Sequence, residues 1–116
     1  MTNINSQKSE LAQKHCKACA GDTKPFSEDE IRQYLKKVDS WDYSQGNITK
    51  TFKFKNYYRT VAFVNAVAWI AHREDHHPDI AFGYRTCRVS FRTHAIDGIS
   101  ENDFIAAAKV NAMMEE

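Results

Sequence analysis

The sequence predicts a two-layer α+β domain in which helices pack on one face of an antiparallel four-stranded sheet, in the order α-β-β-α-β-β-α. Two observations lead to this fold. Apolar residues recur with the helical period in three segments, two of which begin with helix-capping patterns. Between these segments apolar and polar residues alternate as in strands, and the strand-like segments come in pairs joined by short turns.

The composition is that of one small domain with its own core. The 116 residues are 42% hydrophobic, and 16 Lys and Arg side chains nearly balance 15 Asp and Glu side chains. Because nucleic-acid-binding domains usually carry a basic excess, the net charge of +1 gives no electrostatic reason to expect a nucleic-acid partner. The longest apolar segment, residues 61–71, is far shorter than the roughly 20 residues that span a bilayer, so no membrane partner is expected. An odd count of three cysteines favours a cytoplasmic protein over a disulfide-stapled secreted one.

Residues 1–24 differ from the rest of the chain because they are polar and contain few large apolar side chains. Such a segment buries too little surface to offset the entropy lost on ordering. We therefore expect a mobile or loosely docked arm, with one turn of helix near Leu11, followed by a single domain over residues 25–116.

The first helix and the first hairpin follow from local patterns. Ser27 and Glu30 have the spacing of a capping box, in which each side chain bonds a backbone amide of the other residue. The next apolar side chains share one helix face: Ile31, Leu35 and Val38. Residues 41–43 and 48–54 then predict two strands around a turn at residues 44–47.

The second half repeats this arrangement. Residues 57–74 predict a central helix that is apolar around most of its circumference, and Pro78 prevents its continuation. Residues 80–82 and 86–93 predict a second hairpin. Its longer strand would point three side chains into the core: Cys87, Val89 and Phe91. Residues 100–103 form a second capping box, which opens the last helix.

Histidines are the most informative candidate site residues. Four of the five lie close together in the sequence: His72, His76, His77 and His94. Each alone has an ordinary structural explanation, such as an exposed helix position or a helix end where its charge suits the dipole. Imidazole titrates near neutrality, however, and a group of four beside a proline indicates acid–base chemistry or metal ligation.

A metal site is the less favoured of these two interpretations. His72 and His76 lie one helical turn apart, but the glutamate of the usual zinc-protease motif is absent from its place between them. Cys16 and Cys19 form a Cys-x-x-Cys pair without a second pair at zinc-finger spacing. We expect no metal, and we expect the two cysteines to form a reducible surface pair or to have no role.

Three carboxylates lie near the histidines in the sequence or in its predicted elements. Glu74 and Asp75 are expected to be solvated, although Asp75 adjoins the histidine pair. Asp103 has two interpretations: it accepts hydrogen bonds from the amides of the last helix, or it orients an imidazole. Both can hold at once.

Seven residues together resemble the signature of the pterin-4a-carbinolamine dehydratase (4a-hydroxytetrahydrobiopterin dehydratase) family. In order they are His72, His76, His77, Pro78, Tyr84, His94 and Asp103. The resemblance extends over residues 27–110 and is greatest to the bacterial branch, some of whose members also carry the His15-Cys16-x-x-Cys19 motif. His72 stands where many members have glutamate, and Arg92 and Ala95 replace the serine and glutamate of the animal proteins.

The resemblance implies a hydro-lyase that needs no cofactor. Its substrate would be the 4a-hydroxytetrahydropterin that aromatic amino acid hydroxylases release, and its products quinonoid dihydropterin and water. His76 and His94 would form the acid–base pair, His77 would hold the pterin, and Asp103 would fix an imidazole. The implied substrate-binding residues are Asp75, His76, His77, Pro78, Arg92, Thr93, His94 and Ala95.

The resemblance also carries expectations about assembly. Members of the family form homodimers or homotetramers. Animal members act in addition as dimerisation cofactors of a homeodomain transcription factor, through a helix surface. A protein-binding coactivator is therefore the alternative function.

Overall fold

A computed structural model of the chain describes residues 6–19 and 22–114. Within these residues it contains the four-stranded antiparallel sheet and the three helices that the sequence predicts, and one further α-helix that precedes them. The helices are α1 (Ser6–Gln13), α2 (Glu28–Leu35), α3 (Tyr57–Glu74) and α4 (Glu101–Met114). The strands are β1 (Asp42–Ser44), β2 (Asn47–Lys53), β3 (Asp79–Phe82) and β4 (Thr86–Phe91). None of the described helices is long and apolar enough to cross a membrane.

The sheet brings the two predicted hairpins side by side in the order β1-β2-β4-β3. β2 and β4 form its centre, with Ile48 opposite Phe91 and Phe52 opposite Cys87. β3 pairs with the outer side of β4, where Ile80 lies opposite Val89. Since all pairs are antiparallel, the end of β4 and the loop that precedes β3 lie at the same end of the sheet, and this end carries the histidines.

One face of the sheet forms the floor of the core. Its buried side chains alternate along each strand as the period-two pattern predicts, and they are Ile48, Phe52, Cys87, Val89 and Phe91. Helix α3 packs Phe63 against Phe52, with ring centroids 4.5 Å apart. Helix α4 is buried continuously from residue 102 to residue 108, which requires cover on the side that faces away from the sheet.

Helix α1 supplies that cover and packs along α4. Leu11 is only 3% exposed and belongs to the core. Lys109 Nζ donates a hydrogen bond of 2.6 Å to the carbonyl of Ala12, and Lys14 Nζ donates one of 2.9 Å to Glu101.

These contacts differ from the mobile or loosely docked arm that the sequence predicts for residues 1–24. The helix near Leu11 is eight residues long rather than one turn. The composition led to an underestimate of how firmly this segment is bound to the domain. One leucine and several backbone hydrogen bonds, rather than many apolar side chains, hold it in place. Residues 1–5 and 20–21 of the predicted arm lie outside the described residues, and independent folding of residues 25–116 stays a prediction.

Deletion of residues 1–19 should lower the free energy of unfolding by about 2–4 kcal/mol, because it removes the buried Leu11 side chain and uncovers α4. Urea unfolding of the full and shortened chains measures the difference. A shortened chain of unchanged stability would show that the docked segment contributes nothing to the domain.

The stability difference should also depend on pH. The hydrogen bond from Lys14, together with one from Tyr34, holds the pKa of Glu101 below its usual value of 4.5, although burial opposes this shift. A carboxyl whose pKa is lowered in the folded state stabilises the protein above the unfolded pKa, and this contribution is lost as the pH falls through the folded pKa. The difference between the two chains should therefore shrink below pH 4.5. Control chains with Glu101→Gln should lose this part of the pH dependence.

Candidate active site

Three segments that are distant in sequence meet at the histidine-bearing end of the sheet. They are the loop after α3, which carries His76 and His77, the turn after β4, which carries Thr93 and His94, and the first turn of α4, which carries Asp103. The side chains of all three segments lie around one cavity or directly behind it.

The end of α3 sets the direction of His76. Asp75 caps the helix in the left-handed conformation, with φ 52° and ψ 44°, which aspartate tolerates better than most residues do. Its amide donates to the last carbonyls of α3, and the amide of His76 donates to Ala71 over 3.1 Å. This reversal of the chain directs the imidazole of His76 back toward the sheet and α4.

His76 is held on two sides. Its Nε2 lies 2.6 Å from Oδ1 of Asp103, and its ring stacks on Phe91 with an interplanar angle of 7° and centroids 5.8 Å apart. The side chains of His76 and Asp103 are 10% and 0% exposed. The imidazole is therefore fixed in position and orientation before any ligand arrives.

Asp103 makes both of the contacts that its sequence position suggests, one with a backbone amide at the start of α4 and one with an imidazole. Its Oδ2 accepts a hydrogen bond of 2.9 Å from the amide of Ser100 and one of 2.8 Å from the hydroxyl of Thr93. The Ser100 hydroxyl in turn accepts from the amide of Asn102 over 3.2 Å. The first turn of α4 is thus capped by the same carboxylate that holds His76.

The cavity in front of His76 has a volume of about 490 Å³, within the range usual for small-molecule sites. Seven of the predicted site residues line it: Asp75, His76, His77, Arg92, Thr93, His94 and Ala95. Pro78 and Asp103 do not line it, and Asp103 acts from behind through His76.

The other signature residues lie elsewhere. His72 is exposed on α3 beside Trp69, and Tyr84 stacks on Tyr57 near the far end of β4.

The three cavity histidines differ in their surroundings. His77 is 71% exposed, and its Nε2 is 3.9 Å from Asp75. His94 is exposed in the short 3₁₀ turn after β4, so both rings stand at the rim, whereas His76 is enclosed. Beside them Arg92 pairs with Asp97, and its buried Nε has no hydrogen-bond partner among the described residues.

One wall of the cavity was missed by the sequence analysis. It consists of residues 16–19, from the segment that was expected to be an arm. The sequence signal for this wall is the His15-Cys16-x-x-Cys19 motif, whose spacing alone does not indicate a role.

Glu74 holds this wall and corrects the expectation that its side chain is solvated. Its side chain is 4% exposed and accepts a hydrogen bond of 2.7 Å from the amide of Cys16, while His15 Nδ1 lies 3.1 Å away. Burial alone would raise the pKa of Glu74, but these contacts and the charge of Lys109 outweigh burial and hold that pKa below 4.5.

The two cysteines of the wall are free thiols, and both are half-buried. Burial and the nearby charges of Glu74 and Asp103 raise the pKa of Cys16 to about 12, so its thiolate is scarcely populated at neutral pH. Within residues 6–19 and 22–114, no three His, Cys, Asp or Glu side chains are grouped as metal ligands. The reducible pair stays a prediction.

Comparison with known proteins identifies close relatives. Residues 24–113 match the model of the family described as pterin 4 alpha carbinolamine dehydratase. A protein of Nitrosospira multiformis, provisionally named a pterin-4-alpha-carbinolamine dehydratase, is 57% identical over 106 residues, which cover 91% of this chain and 94% of that protein. A relative of the same provisional name from Nitrosomonas eutropha is 51% identical over 115 residues, 98% of each chain.

Two solved structures are similar as well. A transcriptional coactivator/pterin dehydratase from Brucella melitensis has a TM-score of 0.75 at 31% identity, over 78% of this chain and 99% of that one. A pterin dehydratase-like protein identified as a RuBisCO assembly factor in the α-carboxysome has a TM-score of 0.56 at 27% identity, over 64% of this chain and 88% of that one.

Replacement of Asp103 by alanine should lower the free energy of unfolding by about 2–4 kcal/mol, because it leaves the amide of Ser100 and the hydroxyl of Thr93 without their acceptor in a buried site. Urea unfolding followed by circular dichroism measures this loss. Asp29→Ala is the matched control, since Asp29 is an exposed acid in the first turn of α2, and its effect should stay within about 0.5 kcal/mol. An Asp103→Ala protein as stable as the wild type would contradict the assigned capping role.

Proposed function

The chain belongs to the pterin-4a-carbinolamine dehydratase family, and we propose that it is a hydro-lyase that converts a 4a-hydroxytetrahydropterin into quinonoid dihydropterin and water. The observation that carries this proposal is the buried pair of His76 and Asp103, 2.6 Å apart, behind a cavity that His77 and His94 also line. Such a site holds an imidazole in a fixed orientation beside a space for a bicyclic ring.

The reaction needs an acid and a base at the same time. Hydroxide leaves the 4a carbon only when the oxygen is protonated, and the ring N–H must lose a proton so that its electron pair forms the new double bond. Imidazolium and neutral imidazole perform these two transfers near neutral pH. We assign them to His76 and His94, one from the enclosed side of the cavity and one from its rim.

Asp103 supports this role by fixing the tautomer of His76. When Nε2–H donates to the carboxylate, Nδ1 is the nitrogen that exchanges a proton with the substrate. A residue that acts in this way is a positioning residue for the imidazole.

The remaining residues bind the pterin in this proposal. His77 holds the ring from the rim, and Asp75, Arg92 and Ala95 contact it along the cavity wall. The product would be reduced again for aromatic amino acid hydroxylases, so the enzyme would take part in recycling their pterin cofactor. We propose that no metal or further cofactor takes part.

His76→Ala and His94→Ala should each lower kcat by roughly 10²–10⁴, the range for a positioned acid or base. In the double variant the losses should be less than additive, because both groups serve one elimination step.

His77→Ala should mainly raise KM, because its proposed role is to hold the ring. Asp103→Asn, checked for folding by circular dichroism, should lower kcat because the amide no longer enforces the tautomer. The measurement is the decay of 4a-hydroxytetrahydropterin, with and without EDTA, which should make no difference.

His72→Ala is the matched control, since His72 is a histidine of the same signature that lies outside the cavity, and its rate should stay at the wild-type level. If the folded variants of His76, His77, His94 and Asp103 were all fully active, the enzymatic proposal would be wrong.

The outer face of α3 favours assembly. Tyr58 and Trp69 are 87% and 61% exposed, and with Ala62 and Asn65 they follow one stripe of the helix at spacings of three and four residues. We propose that a second copy of the chain covers this stripe in a homodimer or homotetramer. The same exposed aromatics favour a second candidate function, a protein-binding module like the coactivator named in the Brucella protein's description.

Light scattering at micromolar concentration should give at least the mass of a dimer. Tyr58→Ser with Trp69→Ser should shift the protein toward the monomer, because it removes the largest exposed apolar area of the stripe. Tyr43→Ser, an exposed tyrosine on β1, should leave the mass unchanged. A wild-type monomer would contradict the homo-oligomer. An oligomer whose mass the double change does not alter would contradict assembly through the stripe, which would then be available to another protein.

A further inference from the structure

We propose that residues 16–19 are a substrate-contacting wall of the cavity and that Glu74 and Asn102 are positioning residues that hold this wall in place. The inference rests on the proposed function and adds a fourth chain segment to the three that carry the histidines and Asp103. Two sets of contacts support it, one from the end of α3 and one from the first turn of α4.

The first set comes from the end of α3. Glu74 is the last residue of this helix, and its carboxylate bonds the amide of Cys16 over 2.7 Å and lies 3.1 Å from His15. Lys109, 3.8 Å from the same carboxylate, balances its charge from α4. A carboxylate this deeply buried needs such partners, and the wall and the residue before it supply one each.

The second set comes from the first turn of α4. Asn102 Oδ1 accepts a hydrogen bond of 3.0 Å from the amide of Lys17, and Asn102 Nδ2 donates one of 2.5 Å to the carbonyl of Lys17. Both backbone groups of Lys17 are thereby paired with one side chain, as they would be with a neighbouring strand. The thiol of Cys16 donates to the backbone carbonyl of Asn102 over 3.5 Å.

These contacts link the wall to the reacting groups. Glu74 lies two residues before His76, and Asn102 immediately precedes Asp103. The same two helix ends therefore position the wall and the pair of His76 and Asp103. Because both backbone groups of Lys17 are fixed, Ala18 and Cys19 are held where they line the cavity.

The chemistry of the wall suits a flat heterocycle. The methyl group of Ala18 and the thiol of Cys19 are small and weakly polar, and they line the same cavity as the more polar His76, His77 and Arg92. A pterin in this cavity would meet hydrogen-bonding groups from the polar residues and van der Waals contact from Ala18 and Cys19. We therefore expect the wall to act on substrate affinity more than on the proton transfers.

The first test compares kinetic constants. Glu74→Ala should raise KM for 4a-hydroxytetrahydropterin about tenfold, as expected for the loss of a hydrogen bond to a charged group, with kcat changed less than about twofold. Glu74→Gln keeps an acceptor for the amide of Cys16 and should recover most of the affinity. Lys14→Ala, which removes an exposed arm contact away from the cavity, should leave both constants unchanged.

The second test detects the wall directly, without turnover. The rate at which N-ethylmaleimide modifies Cys19, followed by peptide mass spectrometry, should fall about tenfold when the stable pterin 7,8-dihydrobiopterin is bound to the wild-type protein. The protection should be lost in Glu74→Ala, while modification of the buried Cys87 stays slow in every sample.

The outcomes separate the inference from the proposed function. A wild-type protein that turns over the substrate and binds the pterin, yet shows no protection of Cys19 and no change of KM in Glu74→Ala, overturns the inference alone. Equal losses of kcat and kcat/KM in Glu74→Ala overturn it too, since the residue would then act on the chemistry or on the whole fold. A wild-type protein without turnover or pterin binding removes the proposed function, and the inference with it.

Discussion

The buried carboxylate of Asp103 is the constraint on which the rest of the site depends. It caps α4 through Ser100, binds the hydroxyl of Thr93 at the end of the sheet, and holds the imidazole of His76. Burying a carboxylate is costly unless it is hydrogen-bonded, and here the three partners come from different elements. The helix, the sheet and the loop after α3 therefore cannot shift relative to one another without leaving this carboxylate unpaired.

The fold brings these partners together by two simple means. The antiparallel pairing of β3 with β4 places the loop before β3 next to the residues that follow β4. The left-handed residue Asp75 then turns the chain sharply enough for His76 to reach α4. On the opposite side, alanines let α4 lie close to both the sheet and α1, so its first turn is anchored at a fixed depth.

Much of this structure could be predicted from the sequence because its signals are local. The capping box at Ser27 and the alternation around Val89 depend on residues a few positions apart, and the structure contains both. At Ser100 half of the predicted box forms, because Asp103 accepts from the amide of Ser100 while the Ser100 hydroxyl accepts from Asn102. Of the four histidines that the sequence analysis grouped, His76, His77 and His94 line one cavity and His72 lies outside it, and their chemical roles stay predictions. The pairing of β2 with β4 and the burial of Glu74 were not foreseen, because both depend on partners that are distant in sequence and have no periodic signature.

The N-terminal segment has a consequence for how the molecule is made. Residues 12–17 are synthesised well before their partners Glu101, Asn102 and Lys109, which lie 85 to 97 residues later in the chain. This segment therefore cannot make these contacts until almost the whole domain has emerged from the ribosome, so the wall of residues 16–19 depends on contacts of high sequence separation. The C-terminal end of α1 leads into residues 16–19, so a bulky fusion placed before α1 would be attached at the helix end farther from the cavity. One attached after α4 would likewise follow a helix whose first turn, not its last, borders the cavity.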